Sequence, residues 1–382
     1  MKRYICLLAA FVLLICSFPI HVGAADLQVP AKSALLMDAA TGTVLYESNA
    51  DEPLAPASVT KVMTMLLIME AIDGGRIGWD DTVTASETAA SKGGSQIYLK
   101  AGETMSVADM VKSIAVSSAN DCACAMAEHI AGSESAFVSM MNSRAKELGM
   151  ENSHFVNCTG LDDSEDAKEH KTSARDIAIM SRQLLKYHPD IKKYTTIWMD
   201  TVRNGAFGLS NTNKMVRFYS GCTGLKTGFT SAAGYCLSSS AQREGMELIA
   251  VVMGSATSQE RFAACKSMLD YGFANFALVS PELPGNPVVP VKLGKAESVT
   301  AVPSGLSSLL IDKSQRGSVT TETELEAMVK APVSKGQRLG TLTVKCGQQV
   351  LAQIPLVAQE TVEKQSWGDI FFYLLRQVCM SK

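Results

Sequence analysis

Residues 54–70 read LAPASVTKVMTMLLIME, and from Val62 to Met69 every position except Thr64 is apolar. A helix that is apolar on all sides has no face to offer water, so it must be enclosed by other elements. The chain can supply such a core, with 382 residues and 47% apolar content, and its length suggests two domains. Ser58 and Lys61 sit at the head of this helix, one turn apart and on one face. The hydroxyl could serve as a helix cap, but an ammonium on a buried helix is expensive unless paired or neutralised. Lys61 is therefore expected to have an unusual pKa. A second Ser-x-x-Lys string, SRAK at Ser143 to Lys146, lies among Asn142, Arg144 and Glu147 and reads as a solvated helix face.

The pattern around this helix predicts an α/β (α+β) unit. KSALLMDAATGTVLYES gives two alternating runs about a turn at Ala39–Gly42, a β-hairpin. The Ser58 helix stops at Asp73-Gly74-Gly75. MSVADMVKSIAVSSANDCACAMAEHIAG predicts two helices broken near Ser117 to Asn120, with Gly132 as the second stop. ESAFVSMMNSRAKELGM is another helix, and TSARDIAIMSRQLLKYHP is a helix capped by Thr172 or Ser173. TGLKTGFT, AGYCLSSSAQ and MELIAVVMG then alternate with period two and read as adjacent antiparallel strands, before a last helix in SQERFAACKSMLDYGFANF. Strands at both ends with helices between them imply one antiparallel sheet covered by helices, over residues 25–278. The Pro-rich VSPELPGNPVVP marks a boundary, and residues 286–360 carry short β-type runs without helix periodicity, as in a small β-sandwich.

Both termini stand apart. The N-terminus has Lys2 and Arg3, an apolar run to about Ile20 and the small residues Val22-Gly23-Ala24. This is the pattern of a secretory signal peptide over residues 1–24, cut after Ala24; as a retained anchor the run is barely long enough. The tail, residues 364–382, places Trp367, Ile370, Phe371, Leu374, Leu375 and Val378 on a helical stripe, with Arg376 and Lys382 outside it. It is too short to span a bilayer and suits lying in the interface; docking on its own protein is the alternative. The net charge of −3, with both signs mixed along the chain, offers no basic face for nucleic acid, and no glycine-rich phosphate loop occurs. Of the ten cysteines, Cys6 and Cys16 fall in the signal segment and Cys379 in the tail. The other seven have no framework spacing, and Cys122 and Cys124 lie on opposite sides of one helix, so small buried hydrophobes are expected, with a bridge between distant positions left open.

Two further strings change the weight of the first. SAN occurs at Ser118 to Asn120 on the helix break, and KTG at Lys226 to Gly228 on a strand. Ser-x-x-Lys, Ser-x-Asn and Lys-Thr-Gly in that order are the signature of penicillin-binding proteins and serine β-lactamases. The chemistry explains the residue types. Attack on an amide carbonyl needs a deprotonated alcohol and donors for the oxyanion. Ser58 at a helix N-terminus meets backbone N–H groups and a favourable dipole. As a free base at neutral pH, Lys61 must lie roughly 3 pH units below its ordinary value, about 4 kcal/mol, for which burial and the cation Lys226 are the available sources. Ser118 can relay a proton to the leaving amine, and Asn120 can hold the substrate amide. Lys226 and Thr227 suit a terminal carboxylate, and Gly228 would let a substrate backbone approach as an added strand. The oxyanion donors would be the backbone N–H groups of Ser58 and Phe229.

With the blocks PASVTKVMTMLL, LGMENSHFVNCTGLDD, HKTSARDIA and GLKTGFTSAAGYC, the mature chain resembles the low-molecular-mass penicillin-binding proteins that are serine-type D-alanyl-D-alanine carboxypeptidases. The β-rich second unit and amphipathic tail match as well. The resemblance implies a peptidoglycan stem peptide ending in D-Ala-D-Ala as substrate, and β-lactams as acylating mimics. It also implies a role in cell-wall biogenesis on the outer face of the cytoplasmic membrane. It makes Ser58 the nucleophile, Lys61 the base, Ser118 the second serine and Lys226 the carboxylate-binding lysine, with no metal or cofactor. Phe229 departs from members that carry a polar residue there. A class A β-lactamase would want an aspartate where Ala119 stands and has no use for the second unit or the tail. A D,D-endopeptidase or transpeptidase would use the same acyl-enzyme. A non-catalytic wall-binding scaffold would need no buried lysine.

Overall fold

The structure, a computed structural model, describes residues 27–305 and 308–380. The expected signal peptide over residues 1–24 lies outside the described residues.

The first unit is built on a five-stranded antiparallel sheet. Strands β1 (Ser33–Asp38) and β2 (Val44–Ser48) form the expected hairpin, its turn closed by Asp38 Oδ1, which accepts the Thr41 N–H at 2.7 Å. Three more strands, β3 (Cys222–Thr230), β4 (Gly234–Arg243) and β5 (Met246–Ser255), follow in sequence, and the order across the sheet is β2-β1-β5-β4-β3. Strand β3 is therefore an edge.

Period-two alternation sends each strand's side chains to two different cores. Ile249, Val251 and Met253 of β5 face the larger one, while Leu248, Ala250 and Val252 face the other. The larger core holds helices α1 (Lys61–Asp73), α2 (Val107–Ser117), α3 (Asn120–Ala131), α4 (Glu134–Glu147) and α5 (Ala174–Tyr187). The smaller one lies beneath α6 (Ser258–Asn275). Helix α1 is buried on every side from Lys61 to Met69, as its composition requires. Its neighbours begin at side-chain caps: Ser106, Ser133 and Ser173 each accept an N–H from the third residue on, and Thr257 with Glu260 forms a full capping box. Ser143 and Lys146 are exposed on α4, so the second Ser-x-x-Lys copy is a surface.

Beyond α6 the chain becomes β-rich. Residues 280–287 hold no helix or strand, and a six-stranded ladder runs from Val288 to Ala358 around its own core of Val289, Val299, Leu342, Val344 and Leu356. Phe276–Val279 leaves α6 and pairs antiparallel with Leu309–Asp312, so one hydrogen-bonded ribbon links the two units. Residues 367–380 form the terminal helix, with Trp367 88%, Phe372 70% and Phe371 59% exposed. The side chains of Leu374, Arg376 and Val378, and residue Lys382, lie outside the described ones. Among the described residues no helix is long and apolar enough to cross a membrane. The seven cysteines of the two units are free, five of them buried.

Candidate active site

Ala57–Thr60 makes a single 3-10 turn that runs directly into α1, so Ser58 sits on the entering turn and Lys61 opens the helix. Lys61 Nζ donates to Ser58 Oγ at 3.0 Å and to the Thr159 carbonyl at 2.8 Å. Both partners are neutral oxygens, and the side chain is fully buried. Burial lowers the Lys61 pKa to about 7, outweighing the upward pull of Cys158 and Asp121. Lys226, the second expected source, is itself fully buried close enough for the two amines to repel. Burial first, then Lys61 and Arg261, push Lys226 well below its ordinary value.

Ser118 joins α2 to α3 in the left-handed region, at φ +62°, with its N–H bonded to the Ser113 carbonyl. Its Oγ is buried and has no hydrogen-bond partner among the described residues, and the same holds for Asn120 Oδ1. The Asn120 amide nitrogen is occupied, donating to the Gly93 carbonyl at 2.7 Å. Two orphaned polar atoms two residues apart are costly inside a core and suit a site that a ligand completes. Next to them, the Asp121 carboxylate accepts the Ile97 and Leu99 N–H groups and fixes the 93–99 segment to the head of α3.

The Lys-Thr-Gly string lies on β3. Lys226 Nζ donates to the Thr227 carbonyl at 2.8 Å, and Thr227 Oγ1 donates to Thr212 Oγ1 at 2.7 Å. Because the Thr212 N–H bonds the Val116 carbonyl, this bridge ties β3 to the end of α2, two residues before Ser118. Gly228 has a reason of its own: a Cβ there would stand 2.6 Å from the Pro56 oxygen and 3.1 Å from the Ser58 nitrogen. The space the glycine leaves is filled by the Ser58 turn itself. Arg261 braces the strand from α6, donating through Nη1 to the Gly228 carbonyl at 3.0 Å and the Cys236 carbonyl at 3.2 Å. Phe229 is half exposed, its ring 4.3 Å from that of Tyr235.

Several neighbours carried no chemical signal in the sequence. Asn157 Oδ1 accepts the Thr159 and Gly160 N–H groups and shapes the loop whose carbonyl holds Lys61. Gly160, at φ +81°, has no room for a side chain: a Cβ would lie 1.9 Å from the Ala57 oxygen. Ala57 has φ +48°, a strained conformation for a residue with a Cβ, immediately before Ser58. The block containing Asn157 and Gly160 was visible as a family string, but its purpose was not.

A family model described as D-alanyl-D-alanine carboxypeptidase matches residues 20–257, and one described as penicillin-binding protein 5, C-terminal domain, matches residues 283–364. D-alanyl-D-alanine carboxypeptidase DacF of Bacillus subtilis is 46% identical over 346 residues, covering 89% of this chain and 87% of its own. Penicillin-binding protein 5 of Haemophilus influenzae superposes with a TM-score of 0.75 at 31% identity, over 90% of this chain and 100% of the other. Penicillin-binding protein D2 of Listeria monocytogenes in its cefotaxime-bound form does so with a TM-score of 0.60 at 32% identity, over 65% of this chain and 100% of the other. The chain belongs to the D-alanyl-D-alanine carboxypeptidase family, peptidase family S11.

Proposed function

We propose that the chain removes the terminal D-Ala from peptidoglycan stem peptides through an acyl-enzyme on Ser58, and that β-lactams acylate the same hydroxyl. The observation that carries this reading is the fully buried Lys61 amine, held near a pKa of about 7 and 3.0 Å from Ser58 Oγ. A base poised near the working pH is the most effective proton acceptor. Lys61 takes the Ser58 proton as Oγ attacks the carbonyl of the penultimate D-Ala. The backbone N–H groups of Ser58 and Phe229 receive the oxyanion, at ~10²–10³ in rate per donor. Ser118 passes the proton to the leaving D-Ala nitrogen, and water then releases the shortened stem.

Binding falls to the remaining residues. Lys226 and Thr227 take the terminal carboxylate, whose negative charge opposes the burial that lowers the Lys226 pKa. The unpartnered Asn120 Oδ1 accepts an N–H of the substrate backbone, which adds along the β3 edge beside Gly228. Residues 25–278 form the catalytic domain and 286–360 the β-sandwich that follows it. Residues 1–24 act as a signal peptide, and the helix within residues 364–382, with its exposed Trp367, Phe371 and Phe372, holds the exported enzyme at the outer membrane surface.

The test is to incubate residues 25–382 with a fluorescent penicillin and with a D-Ala-D-Ala pentapeptide, beside Ser58→Ala. Labelling and D-Ala release, both lost in the variant, are expected. Labelling without D-Ala release would turn the reading to an endopeptidase or a receptor. Labelling that survives Ser58→Ala would misplace the nucleophile.

A further inference from the structure

Behind the Ser58 turn lies a buried hydrogen-bond chain that the reaction described above does not use. His170 is 3% exposed. Its Nδ1 accepts the Val156 N–H at 3.1 Å, so that nitrogen carries no proton. Nε2 must then be the protonated one, and it donates to Thr60 Oγ1 at 2.7 Å. With its lone pair engaged, the Thr60 hydroxyl directs its own proton to the Ala57 carbonyl, 2.8 Å away. Burial keeps the imidazole neutral, with a pKa of about 4, and so preserves these donor and acceptor roles at working pH.

The Ala57 carbonyl is one half of the peptide group whose other half is the Ser58 N–H. Across a planar trans peptide the two point in opposite directions, so fixing one aims the other. The Ser58 nitrogen stands 3.1 Å from where a Cβ of Gly228 would be, against the edge of β3 beside Phe229. Ala57 reaches this orientation only at φ +48°, a conformation that relaxes unless its surroundings enforce it.

We infer that His170 and Thr60 are positioning residues that clamp the Ala57 carbonyl and thereby aim the Ser58 N–H at the oxyanion. The inference rests on the reading of Ser58 as nucleophile. Neither side chain touches substrate. The clamp sets how well one oxyanion donor is placed, and a misplacement on the order of 1 Å costs up to about 10²-fold.

The experiment compares penicillin acylation rate constants, per titrated active site, in Thr60→Val, Thr60→Ser, His170→Phe and the Thr60→Val/His170→Phe double variant. Thr60→Val keeps the shape and removes the hydroxyl, and it should slow acylation about 10- to 100-fold without moving the pH midpoint near 7 set by Lys61. Thr60→Ser, which keeps the hydroxyl, should restore the wild-type rate, and the double variant should be no slower than the slower single one. Thr60→Val at the wild-type rate, or Thr60→Ser as slow as Thr60→Val, would overturn the clamp. Failure of the wild type to be labelled at Ser58 would instead overturn the reading of the nucleophile.

Discussion

Lys61 Nζ stands 3.0 Å from Ser58 Oγ and, among the described residues, its other hydrogen bond goes to the Thr159 carbonyl, so a potential cation is buried with neutral oxygens as its hydrogen-bond partners. Such a group is disfavoured in its charged form and therefore available as a base. The arrangement sacrifices stability for reactivity, and that trade is measurable.

Lys61→Met should abolish acylation and still make the protein more stable at pH 7, by about 1–3 kcal/mol once the unpaired Thr159 carbonyl is counted. The Lys61 pKa is about 7 folded against 10.5 unfolded, so between those values the unfolded chain holds the extra proton. Lys61 thus contributes its full stability only above pH 10.5 and loses it as pH falls to 7. The advantage of the methionine should therefore shrink as pH rises from 7 to 10.5. Urea unfolding at pH 7 and at pH 10 reads it, and a less stable methionine variant at pH 7 would contradict the burial of an uncompensated amine.

Gly160→Ala should cost at least about 10²-fold in acylation, because its Cβ cannot coexist with the Ala57 carbonyl 1.9 Å away. Gly149→Ala is the matched control. Gly149 also has positive φ, +73°, but a Cβ there meets nothing within 4 Å. It should lose about 1 kcal/mol of stability from backbone strain and keep the wild-type acylation rate. Comparing the two by penicillin labelling and thermal melting separates strain from collision.

Acid should weaken the fold through His170. Its pKa is about 4 folded against 6.5 unfolded, so its contribution is fully present above pH 6.5 and lost as pH falls to 4. The loss amounts to about 3 kcal/mol. A His170→Gln variant should show a flatter stability profile across that interval in urea titrations. A wild-type profile unchanged by the substitution would mean that the imidazole is not held neutral.

Much of this architecture was legible in the sequence because the signals were local. The apolar run after Lys61 forced a central helix, Ser173 was one of two candidates for a helix start, and alternation in 222–255 pointed to three neighbouring strands, whereas the caps at Ser106, Ser133 and Thr257 were not read in advance. Elements without such signals escaped. The strand pairs 82–84 with 104–106 and 199–202 with 207–210 have strands of three and four residues, too short for a period to show. Val319–Leu325 is a mostly exposed edge strand whose VTTETEL offers no apolar face. At the site, side-chain chemistry could be read and backbone service could not. Ser58, Lys61, Ser118, Asn120 and Lys226 stood out by type and order, whereas the Thr159 carbonyl, the Ala57 strain and the close approach of Gly160 depend on chain segments that meet only after folding. His170 and Thr60 were ordinary letters until their contacts were known.

The most direct measurement is the titration of Lys61 itself, by NMR of its side-chain 15N or 13Cε resonance in residues 25–382, assigned with Lys61→Met. The expected midpoint is about 7, matching the rising limb of the acylation rate against pH. A midpoint near the ordinary 10.5 would leave Lys61 charged at working pH and would contradict its role as the base that activates Ser58.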